Sequence, residues 1–368
     1  MTTSASRSHE PGRTGAGARG RGTDRSPDSC AGAMSARDGT LAARGEHQIP
    51  RRTRSALRRC VTALVVTAVL TLAAFLLYRA LSGYAPEEIA ASIAAIRVEH
   101  LALAVGFAAA SYLCLTGFDL LGVRYVGRAL PYRSVALASF VSLSIGHNIG
   151  FSALSTGAIR YRFYSRWGLS AGEVARVILF SGTTVGLGLI ILGGVALLVQ
   201  PHLAEQVTQL DRGLIRGLGT GCLALVICYL GLAACVRRPL RLGRWPLRVP
   251  SLALAIGQVV IGPLNFACVA ACLHQALAAS AETSYLSVAV VYVIATLGTL
   301  ITHAPGGLGV VESVALFLLP QREIIGALIM FRVIYFLLPL AIGSLLFMTV
   351  EFSRRGRGPP TARKPQVG

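Results

Sequence analysis

Apolar residues along this chain gather into long blocks, roughly 61–80, 101–123, 134–158, 174–199, 213–235, 251–277, 285–319 and 325–350. An α-helix rises about 1.5 Å per residue, so about 20 apolar residues cross the ~30 Å hydrocarbon core of a bilayer. The blocks have that length. The pattern predicts an all-α polytopic membrane protein with about 8 hydrophobic segments. Residues 1–59 are rich in Gly, Ser, Ala and Arg and lack apolar periodicity, so they are expected to form a disordered basic tail. The transmembrane domain is then 60–350, and 351–368 is a second basic tail. The first apolar block starts too far from Met1 for a secretory signal. Residues 85–100, with Glu87 and Glu88 beside Ile89, Ile93, Ile96 and Val98, suit a short amphipathic helix on the membrane surface.

The polar connections carry orientation. Arg51, Arg52, Arg54, Arg58 and Arg59 precede the first block; Arg124, Arg128 and Arg133 follow the second; Arg237, Arg238, Arg241, Arg244 and Arg248 fill 236–250. Basic residues hold short loops on the cytoplasmic side. Glu205 and Asp211 in 200–212, and Glu282 in 278–284, suit the outside. If all the blocks crossed, the third would carry Arg160, Arg162, Arg166 and Arg176 to the outside. The conflict disappears if 134–158 and 285–319 each enter the membrane and turn back. Six full spans plus two re-entrant hairpins result, with both termini cytoplasmic; kinked helices that cross normally are the alternative.

Both blocks contain turn points: Gly146, His147, Asn148, Gly150, Ser152, Ser155, Thr156 and Gly157 in one, and His303-Ala304-Pro305-Gly306-Gly307-Leu308-Gly309 in the other. Proline removes a backbone donor and glycine adds freedom, so either interrupts a helix. The expected breaks are Gly150 and Gly157, then Pro305, Gly306, Gly307 and Gly309. The resulting order is an inverted repeat, with one unit at 101–199 and the other at 251–350. Each unit has a His before its glycine break (His147, His303) and an acidic residue near the next helix start (Glu173, Glu323). Interrupted segments at matching positions of two halves point to a transporter's substrate site.

Composition sharpens this picture. With 54% hydrophobic and 14% charged residues, a soluble chain would lack the polar surface to cover its core. A formal charge of +19 raises nucleic-acid binding, but the arginines occupy tails and short loops, not one face of a folded module. No nucleic-acid partner is expected. Six of the eight cysteines (Cys114, Cys222, Cys228, Cys235, Cys268, Cys272) lie within apolar blocks, without CxxC or metal-ligand spacing. They read as small buried residues, and neither a metal nor a cofactor is expected.

Ionisable residues at membrane depth are costly, and here they are Asp119, His147, His303, Glu312 and Arg332. Asp119 either meets the headgroups or serves a site. Glu312 either acts in a site or braces the hairpin backbone. Arg332 either snorkels or pairs with Glu312, which would lessen the burial cost of both. The histidines either bind a ligand or bond to carbonyls of the breaks. In Thr156-Gly157-Ala158-Ile159-Arg160-Tyr161-Arg162-Phe163-Tyr164, arginines alternate with aromatics. Arginine holds phosphate bidentately and aromatic rings sit well at headgroup level. The stretch is either a topogenic loop or a lipid-phosphate clamp built on Arg160, Tyr161, Arg162 and Tyr164, with Asn148 nearby in sequence.

His147-Asn148-Ile149-Gly150-Phe151, Gly157, Arg160-Tyr161-Arg162-Phe163-Tyr164 and His303-Ala304-Pro305-Gly306-Gly307-Leu308-Gly309-Val310-Val311-Glu312 resemble the membrane domain of bacterial lysylphosphatidylglycerol synthases, over about 60–350. Stand-alone inner-membrane relatives of that domain are the closer likeness. The resemblance implies translocation of a (phospho)lipid in a bacterial cytoplasmic membrane, with membrane lipids as partners. It does not imply lysyl transfer, since a sequence ending at Gly368 leaves no room for an acyltransferase domain. An accessory subunit of a lipid-modifying enzyme is the second reading. An intramembrane enzyme using His147 or His303 with Glu312 is the third, and no HExxH or GxSxG motif supports it. Oligomeric state stays open.

Overall fold

The computed structural model describes residues 97–149, 152–236, 240–242, 245–247, 249–278, 283–319 and 324–355, with isolated positions 87 and 94. The tails 1–59 and 356–368, block 61–80, nearly all of 85–96, Gly150, Glu282 and Glu323 lie outside the described residues. The described helices are α1 (Val98–Tyr125), α2 (Tyr132–Ile149), α3 (Ser152–Tyr164), α4 (Ala171–Val199), α5 (Pro201–Thr208), α6 (Arg212–Cys235), α7 (Leu252–Leu277), α8 (Tyr285–Thr302), α9 (Val310–Leu318), α10 (Ile325–Arg332) and α11 (Leu338–Arg355). A π-helical turn, Val333–Leu337, joins α10 to α11 in one long helix. Strands β1 (Leu240–Leu242) and β2 (Trp245–Leu247) form a small antiparallel hairpin in the arginine-rich connection, an addition that hydrophobic patterning does not predict.

Local chemistry sets several helix ends. The left-handed Gly127 closes α1, where Arg128 N–H reaches the Val123 carbonyl at 3.1 Å. Ser170 and Glu173 form a reciprocal capping box at the start of α4, and Asp211 caps α6 through the Gly213 N–H at 2.8 Å. These polar caps lie at the ends of apolar helices, where water or headgroups are available.

Among the described residues, six helices are long and apolar enough to cross a membrane: Val98–Tyr125, Ala171–Val199, Arg212–Cys235, Leu252–Leu277, Tyr285–Thr302 and Ile325–Ser353. The all-α polytopic class therefore holds. Five of the six are spans expected from the sequence. The remaining one, α8, is the first arm of block 285–319, with 18 residues giving about 27 Å of helix. Expected span 61–80 lies outside the described residues.

Helix α7 sits at the centre, against α1, α4, α6, α8 and α10. It approaches α4 so closely that a Cβ on Gly188 would lie 2.6 Å from the Gly262 carbonyl carbon. Helices α4 and α6 meet in the same manner at Gly194 and Gly219, where a Cβ on Gly219 would lie 3.0 Å from the Gly194 carbonyl oxygen. Lipid is as apolar as leucine, so helices in a bilayer gain by close backbone packing through small residues.

Both interrupted blocks fold back on themselves. Helices α2 and α3 pack together, and a Cβ on Gly146 would come 3.0 Å from Thr156 N. Helix α9 returns along α8, with Val310 against Gly298. Gly157 corrects the sequence expectation. It lies inside α3, not at a break, and packs on α4 with its Cβ position 3.3 Å from Ile178 Cδ1. Its small size serves helix contact. The polar run Ser155-Thr156 is likewise helical, Ser155 Oγ donating to the Gly146 carbonyl at 3.3 Å.

Candidate functional site

Among the described residues, the sequence candidates take part in three polar groupings within the helix bundle. The first surrounds Asp119, which is 0% exposed. Arg160 donates through Nε to Oδ2 at 2.9 Å and through Nη2 to Oδ1 at 2.8 Å. Tyr164 Oη donates to Oδ2 at 2.9 Å and Ser181 Oγ to Oδ1 at 3.0 Å. The carboxylate thus ties α1, α3 and α4 together with two hydrogen bonds on each oxygen. A buried charge is tolerated when it is paired and its lone pairs are used. Arg160 is therefore engaged internally, at the heart of the stretch that the sequence presents as a phosphate clamp.

The second grouping braces the 303–309 break. His303 takes the left-handed conformation that ends α8, its N–H bonded to the Thr299 carbonyl at 2.9 Å. Gly306, Gly307 and Gly309 also have positive φ, which glycine adopts without a Cβ clash. Such a turn leaves carbonyls without helical partners, and lipid supplies none. Arg332 supplies them: Nη1 donates to the Gly306 carbonyl at 3.0 Å and Nη2 to the Gly307 carbonyl at 3.1 Å. Arg332 also pairs with Glu312 through Nε and Nη2, the latter at 2.7 Å. Glu312 accepts the Gly309 N–H at 2.9 Å at the start of α9. The ion pair and the bracing role read from the sequence are both present.

The third grouping joins the end of α2 to the break of the second block. The Cβ position of Gly306 lies 3.9 Å from the His147 carbonyl and 3.8 Å from Arg332 Nη1, so the turn of the second block sits at the end of α2. Asn148 Nδ2 donates to its own helix at Ser144 O (2.8 Å) and across to Phe336 O (3.3 Å). Phe336 belongs to the π turn, where widened spacing displaces backbone carbonyls from their usual partners. Tyr112 Oη donates to the adjacent Tyr335 carbonyl at 3.3 Å. Ser111 Oγ lies 2.8 Å from Asn265 Oδ1 and 3.0 Å from Tyr335 Oη. Helices α1, α2, α7 and the π turn therefore meet at hydrogen bonds, beside a non-helical turn.

The remaining sequence candidates are dispersed. Tyr164 belongs to the Asp119 grouping, whereas Tyr161 is 48% exposed and stands outside it. Arg162 pairs with Glu351 at 2.7 Å, and His303 is exposed at its turn, with Nδ1 3.1 Å from the Ile301 carbonyl. Gly309 is exposed and Gly307 buried. Sequence reasoning missed Ser111, Tyr112, Asn265, Tyr335, Arg166 and Glu351. A search extended from charges to amides would have found Asn265, and also Gln258, which bonds Thr184, the Phe180 carbonyl and Tyr229. Among the described residues no cluster of His, Cys, Asp and Glu is arranged to hold a metal ion.

Long apolar helices and small-residue crossings define a polytopic α-helical membrane protein. Residues 62–343 match the family described as the lysylphosphatidylglycerol synthase TM region, and the chain belongs to that family. It is 30% identical over 281 residues to "Uncharacterized protein slr0712" of Synechocystis, covering 75% of this chain and 87% of that protein. It is 31% identical over 255 residues to "Inner membrane protein YbhN" of Escherichia coli, covering 67% of this chain and 79% of that protein.

Proposed function

We propose that this protein moves a phosphate-bearing lipid between the leaflets of a bacterial cytoplasmic membrane. The observation that carries the reading is the meeting of two interrupted helices at one polar junction. Asn148 of α2 bonds the π turn, Arg332 just before the π turn bonds the Gly306-Gly307 turn, and that turn lies against the His147 carbonyl. Non-helical backbone inside a membrane is tolerated where it is buried in protein or lines a cavity, and transporters build their sites from such broken helices. Membership of a lipid-synthase membrane-domain family supports a lipid as the substrate, and similarity to the inner membrane protein YbhN supports that membrane.

In this reading α2–α3 and α8–α9 are re-entrant hairpins, and the arginine-bearing turn after α3 and both termini are cytoplasmic. The distribution of Arg124, Arg128, Arg133, Arg166 and Arg176 against Glu205 and Asp211 supports that orientation. The test is leaflet-resolved labelling of phospholipids in bacteria with and without the gene. Translocation predicts an altered inner-to-outer ratio of at least one anionic phospholipid at unchanged total amount. An unchanged ratio for every class overturns the reading.

A further inference from the structure

We propose that Arg162 and Arg166 form a binding site for the phosphate of an anionic lipid, and that Glu351 occupies this site until lipid displaces it. The proposal rests on the lipid-handling reading for its substrate class, but its geometry stands separately. At the end of α3, Arg162 Nη2 lies 2.7 Å from Glu351 Oε1, and Arg166 Nη2 lies 2.9 Å from Oε2. Two cations share one carboxylate, leaving the cluster one positive charge in excess. The Arg162 Nε is buried and has no hydrogen-bond partner among the described residues. A buried donor without an acceptor is costly, and a phosphate with several free oxygens would satisfy it.

The surroundings favour a lipid phosphate. The Arg162 guanidinium lies over the Phe347 ring, 5.5 Å from its centroid, and Arg166 over Phe163 at 5.8 Å. Tyr161 and Trp167 are neighbours in sequence, and such rings settle at headgroup level. The Arg162 side chain is 40% exposed, against 5% for the Asp119-bound Arg160, so it is the arginine of the pair that a ligand can reach. Glu351 lies near the end of α11, the continuation of the helix that carries Arg332 and the π turn. Displacing Glu351 therefore frees one end of a helix whose other end braces the second break.

Trp167 reports on the site, its ring centroid being 6.0 Å from Phe163 and 5.9 Å from Tyr164. The full-length chain with Trp245→Phe has Trp167 as its single tryptophan. It is reconstituted with phosphatidylglycerol or phosphatidylcholine brominated near the top of the acyl chains. Phosphatidylglycerol should quench Trp167 at several-fold lower mole fraction than phosphatidylcholine. Arg162→Ala with Arg166→Ala should erase that preference. Glu351→Gln should strengthen it by roughly threefold, the scale of one part-exposed ion pair removed. A Glu351 that was merely structural would give no gain on its removal. Equal quenching by the two lipids, an intact preference in the double alanine variant, or no gain in Glu351→Gln overturns the proposal. So does release of phosphatidylglycerol by inorganic phosphate at constant ionic strength, which would make the ligand a soluble anion. Preference without translocation refutes the proposed function and leaves the site standing; translocation without preference does the reverse.

Discussion

Asp119 and Arg160 show how a side chain's role depends on what the fold brings to it. On the sequence, Arg160 alternates with aromatics and reads as a headgroup ligand. In the fold its guanidinium is spent on a carboxylate from 41 residues away, reinforced by Tyr164 and Ser181. Removing one member of such a pair leaves an uncompensated buried charge, at a cost of about 3–5 kcal/mol. Arg160→Ala and Asp119→Ala are therefore each expected to lower the thermal unfolding temperature in detergent strongly. Asp119→Asn with Arg160→Gln, which leaves no net charge behind, should recover much of the loss. If both single variants melt like wild type, the pair is not a structural one. The Glu312–Arg332 pair, by contrast, was legible in advance, because both residues interrupt apolar blocks and belong to consecutive segments. Asp119 gave no comparable pointer, since its partners come from α3 and α4, 41 to 62 residues away, with no pattern in the sequence that pairs them with it.

At the scale of elements, the two breaks were visible as clustered glycine, proline and polar residues, but their extent was not. The 303–309 break matches its sequence because Pro305 and the positive-φ glycines compel it. Glycine alone does not compel a break, and Gly146 and Gly157 stay helical where close packing uses their missing side chains. The π turn at Val333–Leu337 carries no composition signal at all, since a residue's insertion into the helix spacing is settled by packing with Tyr112 and Asn148. The helix crossings give a contrast that can be measured. Gly188→Ala would place its Cβ against the Gly262 backbone, which has no side chain to rotate away. A cost of about 1–3 kcal/mol is expected. Gly182→Ala, with nothing within 4 Å of its Cβ, should leave the melting temperature unchanged or slightly raised. Equal effects of the two substitutions would contradict the α4–α7 packing.

For the whole molecule, the positive-inside pattern and the folded-back blocks make a joint statement about sidedness. Ser165 and Gln209 are exposed, in the turn after α3 and the turn before α6. In a variant without native cysteines, Gln209→Cys should react in intact cells with a membrane-impermeant maleimide. Ser165→Cys should react only after the membrane is opened. External labelling at Ser165→Cys would mean that α2 and α3 carry the chain across, and the hairpin reading would fail.

The central claim is that lipid moves through the junction where the second break meets the end of α2. It is tested most directly in proteoliposomes holding a fluorescent phosphatidylglycerol in both leaflets, with an impermeant quencher outside, measured with and without an imposed pH gradient. Gly306→Leu with Gly307→Leu puts side chains on two positive-φ positions, next to His147, Arg332 and Thr299. Wild-type protein should give a protein-dependent loss of the inner-leaflet signal, and the variant, inserted at matched amount, should lose most of that rate. An inner-leaflet signal that persists with wild-type protein under both conditions, or equal rates for the two proteins, would contradict the account.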